Sequence, residues 1–275
     1  MSGRRNCRAT CRFKEKALLA RFDLYSLPGF HDPVSSISHL LGAIVFALLT
    51  QPLLRRGRGD PVRVAYLGVF AFSSVFLFSM SAAYHMLPFP SGGRDVLLRL
   101  DYSAIFVLIA GTFTPAHGIL FRGPLRWGPL WAIWIAAITG LTLKTIFLEY
   151  LPEWLGLTFY LGLGWVGVFS AYLLWQRYGL AFIAPLLWGA LAYTVGSVME
   201  FLGWLTIIPG VFGPHELMHI LVLVGAAFHW RFVWQFASGE VPTARSGPRE
   251  DRTADEGDVP CDERRGLSPP SGRRG

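Results

Sequence analysis

Between residues 36 and 236 the chain carries only seven acidic side chains, whereas the residues beyond 236 hold eight. A stretch that long and that poor in charge cannot be a water-soluble domain, in which about a quarter of residues are charged. Over the whole chain 52% of residues are hydrophobic and 16% charged, with 21 Phe and 10 Trp. Backbone that leaves water must satisfy its own N–H and C=O groups, and at this composition it does so as membrane-crossing helices. The reading is an all-α, multi-pass integral membrane protein.

Pro, Gly and charge punctuation separates seven apolar segments, near 36–54, 65–87, 100–121, 127–147, 155–176, 181–203 and 215–236. The breaks are short, so neighbouring helices are antiparallel and pack as one seven-helix bundle. Trp127, Trp154, Trp204 and Trp234 fall near segment ends, where interfacial aromatics sit. Residues 1–35 form a basic arm with seven Lys/Arg, and residues 237–275 read as a disordered, charged tail. The opening MSGRRNCRATCRFKEK is a polar tail rather than a cleavable leader. Cys7, Cys11 and Cys261 all lie in these tails and read as unpaired thiols. The net charge of +7 comes chiefly from the arm and the loops. It speaks of lipid headgroups, and no nucleic-acid module is present. Arg-rich, Lys-poor usage fits a GC-rich bacterial genome, and hence a bacterial plasma membrane. The positive-inside rule divides on orientation, because the basic arm is opposed by Arg55, Arg56, Arg58 and Arg63 in the first inter-helix loop.

Helix parity places four polar residues more firmly. In an antiparallel seven-helix bundle, segment two ends, and segments three and seven begin, on the same membrane face. His85 ends segment two, Asp101 begins segment three, and His215 and His219 begin segment seven. Three histidines and a carboxylate therefore collect at one depth. Ionisable groups in a bilayer are costly and mark function or partnered interior sites.

His215 and His219 stand at i and i+4 on one helix face. A third histidine completes a three-nitrogen set and leaves one tetrahedral position for water, the arrangement of catalytic zinc. Asp101 can orient that water and take its proton. Ser81, one turn before His85, supports that histidine or polarises a substrate carbonyl. The string His215-Glu216-Leu217-Met218-His219 also spells the H-E-x-x-H of zinc metalloproteases. An intramembrane protease would supply a later Asp as third ligand, and none follows His219 until the tail. A water-activating role for Glu216 stays open.

These residues carry a family resemblance. PVSSISHLLGA (33–43), the S-x-x-x-H of Ser81–His85, LDYSAI and GTFTP (100–115), YTVGSV (193–198), and H-x-x-x-H followed by LVGAAFH (215–229) together resemble the hemolysin III branch of the progestin and adipoQ receptor superfamily. The resemblance implies a seven-helix fold with zinc held by His85, His215 and His219, and Asp101 contacting the zinc-bound water. It also implies a site toward the cytoplasmic face, in members with an intracellular N-terminus. The wider relationship, to alkaline ceramidases, suggests metal-assisted hydrolysis of a lipid amide.

The remaining polar residues are read more plainly. Glu200 lies near the same face as a partner of the metal ligands, a substrate contact or a snorkelling carboxylate, with the last two preferred. His39 hydrogen-bonds within the bundle, His117 lies at the opposite end of its helix, and His229 is too deep for the same metal and packs between helices. Pro115 and Pro185 are expected to kink their helices. The expected function is zinc-dependent hydrolysis of a lipid amide or ester, with a membrane lipid as substrate or ligand. The rival is a non-enzymatic sensor or permeability protein with structural zinc.

Overall fold

Punctuation by Pro, Gly, Ser and Asp sets the helix boundaries. α1 (Pro33–Arg56) opens on a proline, whose fixed φ suits a first turn and whose missing N–H is not needed there. α2 (Pro61–Met86) opens likewise, and the Asp60 carboxylate accepts hydrogen bonds from the N–H groups of Val62 and Arg63. α3 (Gly92–Leu120) is capped by Ser91, whose hydroxyl accepts from the Arg94 N–H. α4 (Pro124–Ile146) follows a tight turn at Gly123. α5 (Glu153–Trp165) and α6 (Gly167–Tyr178) are one span broken at Val166, amid Gly162, Gly164 and Gly167. α7 (Leu180–Leu202) stops at Gly203 in the left-handed region, which glycine adopts at no steric cost. α8 (Pro214–Phe236) opens again on proline.

The computed structural model describes residues 31–88, 91–150, 152–209 and 211–241. The three cysteines, and most of the arm and tail, lie outside the described residues. Among those described there is no strand beyond one isolated bridge, Ile208 to Phe212. Among the described residues seven helices, with Trp154–Tyr178 counted as one, are long and apolar enough to cross a membrane. The chain is an integral, multi-pass, all-α membrane protein.

One boundary differs from expectation. α3 begins at Gly92, well ahead of the boundary expected near residue 100. Residues 92–99, ahead of the expected start, are helical, because their long charged side chains find partners. Arg94 reaches Asp32 and the end of α2, and Arg99 reaches the Thr145 carbonyl. Asp101 therefore lies in the third turn of α3, roughly 14 Å from its start at 1.5 Å per residue. α3 and α7 run on through Pro115 and Pro185 without interruption.

α3 packs on α2 and α4 and touches α8, while α8 packs on α7 and reaches α1. Inside a bilayer, lipid is as apolar as the side chains, so helices associate by close packing and hydrogen bonds. Small residues provide the approach. A β-carbon on Gly111 would lie 2.1 Å from Ser73 Oγ, and one on Gly140 would lie 2.4 Å from the Phe106 ring. One apolar cluster, with Leu53, Phe70, Phe182, Phe232 and Phe236, fills the end of the bundle away from Asp101. A second, with Ala43, Phe46, Phe78 and Ala226, forms a floor under the polar end. Outward-facing Leu48, Phe72, Trp131 and Trp188 are exposed, as lipid-facing residues must be.

Candidate metal centre

Five chain segments meet above that floor: the lead-in to α1, the end of α2, the first half of α3, the end of α7 and the start of α8. His85, His215 and His219 arrive from α2 and α8, as helix parity requires. His215 Nε2 lies 3.3 Å from His85 Nε2 and 3.0 Å from His219 Nε2. His85 and His219 are buried, and His215 is partly open. These three could hold a metal ion.

Their outer nitrogens are all engaged. His85 Nδ1–H donates to Asp32 Oδ2 at 2.9 Å, and His215 Nδ1–H donates to Glu200 Oε1 at 2.6 Å. His219 Nδ1–H points at the His39 ring, with His39 Nε2 at 2.9 Å and Nδ1, the nitrogen free to accept, at 3.1 Å. His39 Nε2–H can then donate to the His219 carbonyl at 3.3 Å, which satisfies both rings. The edge of Phe78 packs against His39 from below. With Nδ1 protonated on all three rings, three Nε2 lone pairs face one another. Such lone pairs repel unless a cation lies between them. Zinc bound by nitrogens at about 2.0–2.1 Å in a tetrahedron places them about 3.3 Å apart. The donor set fits that ion, and outward hydrogen bonds of this kind fix the ligand tautomer and raise its basicity.

Asp32 was not anticipated from the sequence. Its carboxylate also accepts from Arg94 Nη2 at 3.0 Å, and its backbone N–H donates to the His85 carbonyl at 3.1 Å. Arg94 in turn donates to the Leu87 carbonyl and lies over the Tyr84 ring. Burial alone would raise the Asp32 carboxyl, but hydrogen bonding and charge from His85 and Arg94 outweigh it and hold it down at about 2. The available signal was Asp32-Pro33, an acidic residue directly before a helix-opening proline. Glu200, expected mainly as a snorkelling or substrate-contacting group, is a hydrogen-bond partner of His215.

Glu216 is engaged elsewhere. Its Oε2 accepts from the Gly213 N–H at 2.8 Å, and its Oε1 accepts from Ser35 Oγ at 3.4 Å. It caps its own helix and ties α8 to α1, so both carboxylate oxygens are occupied away from the histidines. Asp101 is hydrogen-bonded by Ser81 and lies within electrostatic reach of His215. Ser81 thus turns to Asp101, and the place beside His85 Nδ1 is filled by Asp32. His117 uses both nitrogens far from the cluster, on the Leu125 carbonyl and on Ser170 Oγ. His229 packs against Gly189 and reaches the Leu186 carbonyl at 3.3 Å.

A protein-family model described as "Haemolysin-III related" matches residues 30–230. The chain belongs to that family. Among curated members, "Hemolysin-3" of Bacillus cereus is 31% identical over 197 residues, covering 70% of this chain and 85% of its own length. "Hemolysin-3 homolog" of Bacillus subtilis (strain 168) is 28% identical over 197 residues, covering 70% and 88%. A plant protein, "Heptahelical transmembrane protein 1" of Arabidopsis thaliana, is 26% identical over 238 residues, covering 75% of this chain and 70% of its own length. Membership accords with the seven spans, and a bacterial inner membrane fits the Bacillus relatives. The matched region of this haemolysin-III-related chain opens at residue 30, just ahead of Asp32, and closes just beyond His229. It includes every residue of the histidine cluster.

Proposed function

We propose that the protein is a zinc-dependent hydrolase of an amide or ester carbonyl in a membrane lipid. The observation that carries this reading is three converging Nε2 atoms, a group of three rather than four among the described residues, within electrostatic reach of Asp101 on α3. A structural zinc site is usually closed by four protein ligands, and three leave a position for chemistry. A zinc ion held by His85, His215 and His219 would polarise a carbonyl and lower the pKa of water to about 7.

The chain's own groups do the rest. Asp32, Glu200 and His39 hold the three imidazoles with Nδ1 protonated and Nε2 free. The Asp101 carboxylate, steadied by the Ser81 hydroxyl, accepts a proton from the attacking water and returns it to the leaving group. The apolar floor of Phe46 and Phe78 closes the site below, so water reaches it from one face only.

The alternative is a sensor or permeability protein in which the same cluster only ties α2 to α8. Asp101→Asn separates the two. A hydrolase keeps its zinc and loses about 10²- to 10⁴-fold in turnover of a lipid amide and ester panel. Zinc and turnover both equal to wild type would assign the metal a structural role.

A further inference from the structure

The connection between α7 and α8 is built unlike a loop in water. Every residue from Phe201 to Pro209 is exposed, and there is no charged side chain between Glu200 and His215. Phe201, Leu202, Trp204, Leu205, Ile207 and Ile208 are each between 49% and 66% exposed. A contiguous apolar patch of that kind marks contact with a membrane or another protein. The first inter-helix loop, at the other end of the bundle, carries Arg55, Arg56, Arg58 and Asp60 and is what a water-facing connection looks like.

The connection is also shaped and anchored. Gly203 and Leu205 both take positive φ, 62° and 70°, and turn the chain sharply at the end of α7. The Ile208 and Phe212 backbones then pair as a bridge. At its base the Glu200–His215 hydrogen bond, 2.6 Å long, ties the end of α7 to the start of α8. The loop is therefore the rim beside His215, whose side chain is 41% exposed. Its apolar surface continues the lipid-facing residues of α7, Leu191, Val195 and Val198.

We propose that residues 201–209, pinned by the Glu200–His215 hydrogen bond, dip into the bilayer interface and form the lip over which an acyl-chain substrate passes to the histidine cluster. The Trp204 indole suits the headgroup level, and the leucine and isoleucines suit the acyl boundary below it. The occupant is bilayer lipid because the patch carries no charge, borders the spans and continues their lipid-facing surface. The substrate route rests on the hydrolase reading, whereas immersion of the loop does not.

Immersion is tested on the full chain in nanodiscs of phosphatidylcholine and phosphatidylglycerol. Cys7, Cys11 and Cys261 are replaced by Ser, and a bimane label is placed through Ile207→Cys or, for comparison, Arg58→Cys. The label at 207 should lose iodide quenching and gain quenching by lipids with a shallow nitroxide, and the label at 58 should do the reverse. Iodide quenching at 207 equal to that at 58 overturns the proposal. Protection of 207 from both quenchers overturns it too, because the loop then packs on protein. Ile207→Glu should reduce turnover of a long-chain N-acyl lipid while leaving zinc content and turnover of a short-chain soluble ester unchanged. Equal loss on both substrates overturns the route. Wild-type protein that cleaves neither refutes the hydrolase reading, with the quenching pattern still deciding immersion.

Discussion

Asp32 and His85 stand 53 residues apart in sequence, and a 2.9 Å hydrogen bond runs from the His85 ring to the Asp32 carboxylate. The same Asp32 holds the His85 carbonyl through its backbone and Arg94 through its side chain. A residue just ahead of the first span thereby fixes the tautomer of His85 at the end of the second. The orientation of His85 depends on the start of α1 being seated.

Asp32→Asn leaves a side chain of the same size but removes the charge facing His85 Nδ1–H. Loss of such a partner costs about 10- to 100-fold in metal affinity. Chelator competition on purified protein should show that weakening, and unchanged affinity would remove Asp32 from the site.

The same variant has a signature in pH. Histidine must be neutral to bind metal, so zinc is released as pH falls. Asp32 itself is held at about 2, below its ordinary 3.8. Its folded-state value is depressed, so its contribution is complete above the ordinary value and is lost only as pH falls through about 2. Release of zinc well above that value therefore reports protonation of the imidazoles rather than of Asp32. With the weaker zinc binding expected of Asp32→Asn, its release midpoint should move to higher pH than wild type. A midpoint moved to lower pH would contradict this arrangement.

Glu216→Gln tests the protease-like string. Gln at the same helix position still reaches the Gly213 N–H, so the cap survives. Zinc content and lipid turnover should both stay near wild type. Glu216→Ala should lower thermal stability by about 0.5–2 kcal/mol through loss of the cap, again with zinc retained. Turnover abolished by Glu216→Gln with zinc intact would make Glu216 the base.

Gly111→Ala probes the α2–α3 contact that sets the height of His85 against Asp101. The added β-carbon would meet Ser73 Oγ at 2.1 Å and Ser73 Cβ at 2.7 Å. Overpacking of this kind costs about 1–3 kcal/mol. Thermal unfolding in detergent should show the loss, and stability equal to wild type would mean the two helices separate freely.

Much of this arrangement is legible in the sequence because membrane helices obey simple rules. Hydropathy marks the spans, parity fixes which ends share a face, and the i, i+4 spacing aligns His215 with His219. Those rules bring His85, Asp101, His215 and His219 to one end without any knowledge of packing. They do not reach Asp32, which sits in a stretch dominated by Arg and Lys and reads as part of a tail. Nor do they distinguish a snorkelling Glu200 from one bonded to His215, because that depends on the sharp turn at Gly203 and Leu205. The early start of α3 was hidden for a related reason. Arg94 and Arg99 look like loop charges until their partners on other elements are known.

On the proposed reading, α2 and α8 share one zinc ion through His85, His215 and His219. Zinc per chain, measured by elemental analysis on detergent-purified wild type and His85→Ala, tests it most directly. Wild type should hold about one zinc and the variant none, with the helical circular dichroism retained. Zinc that persists in His85→Ala, or a wild type that holds none after zinc loading, would contradict it.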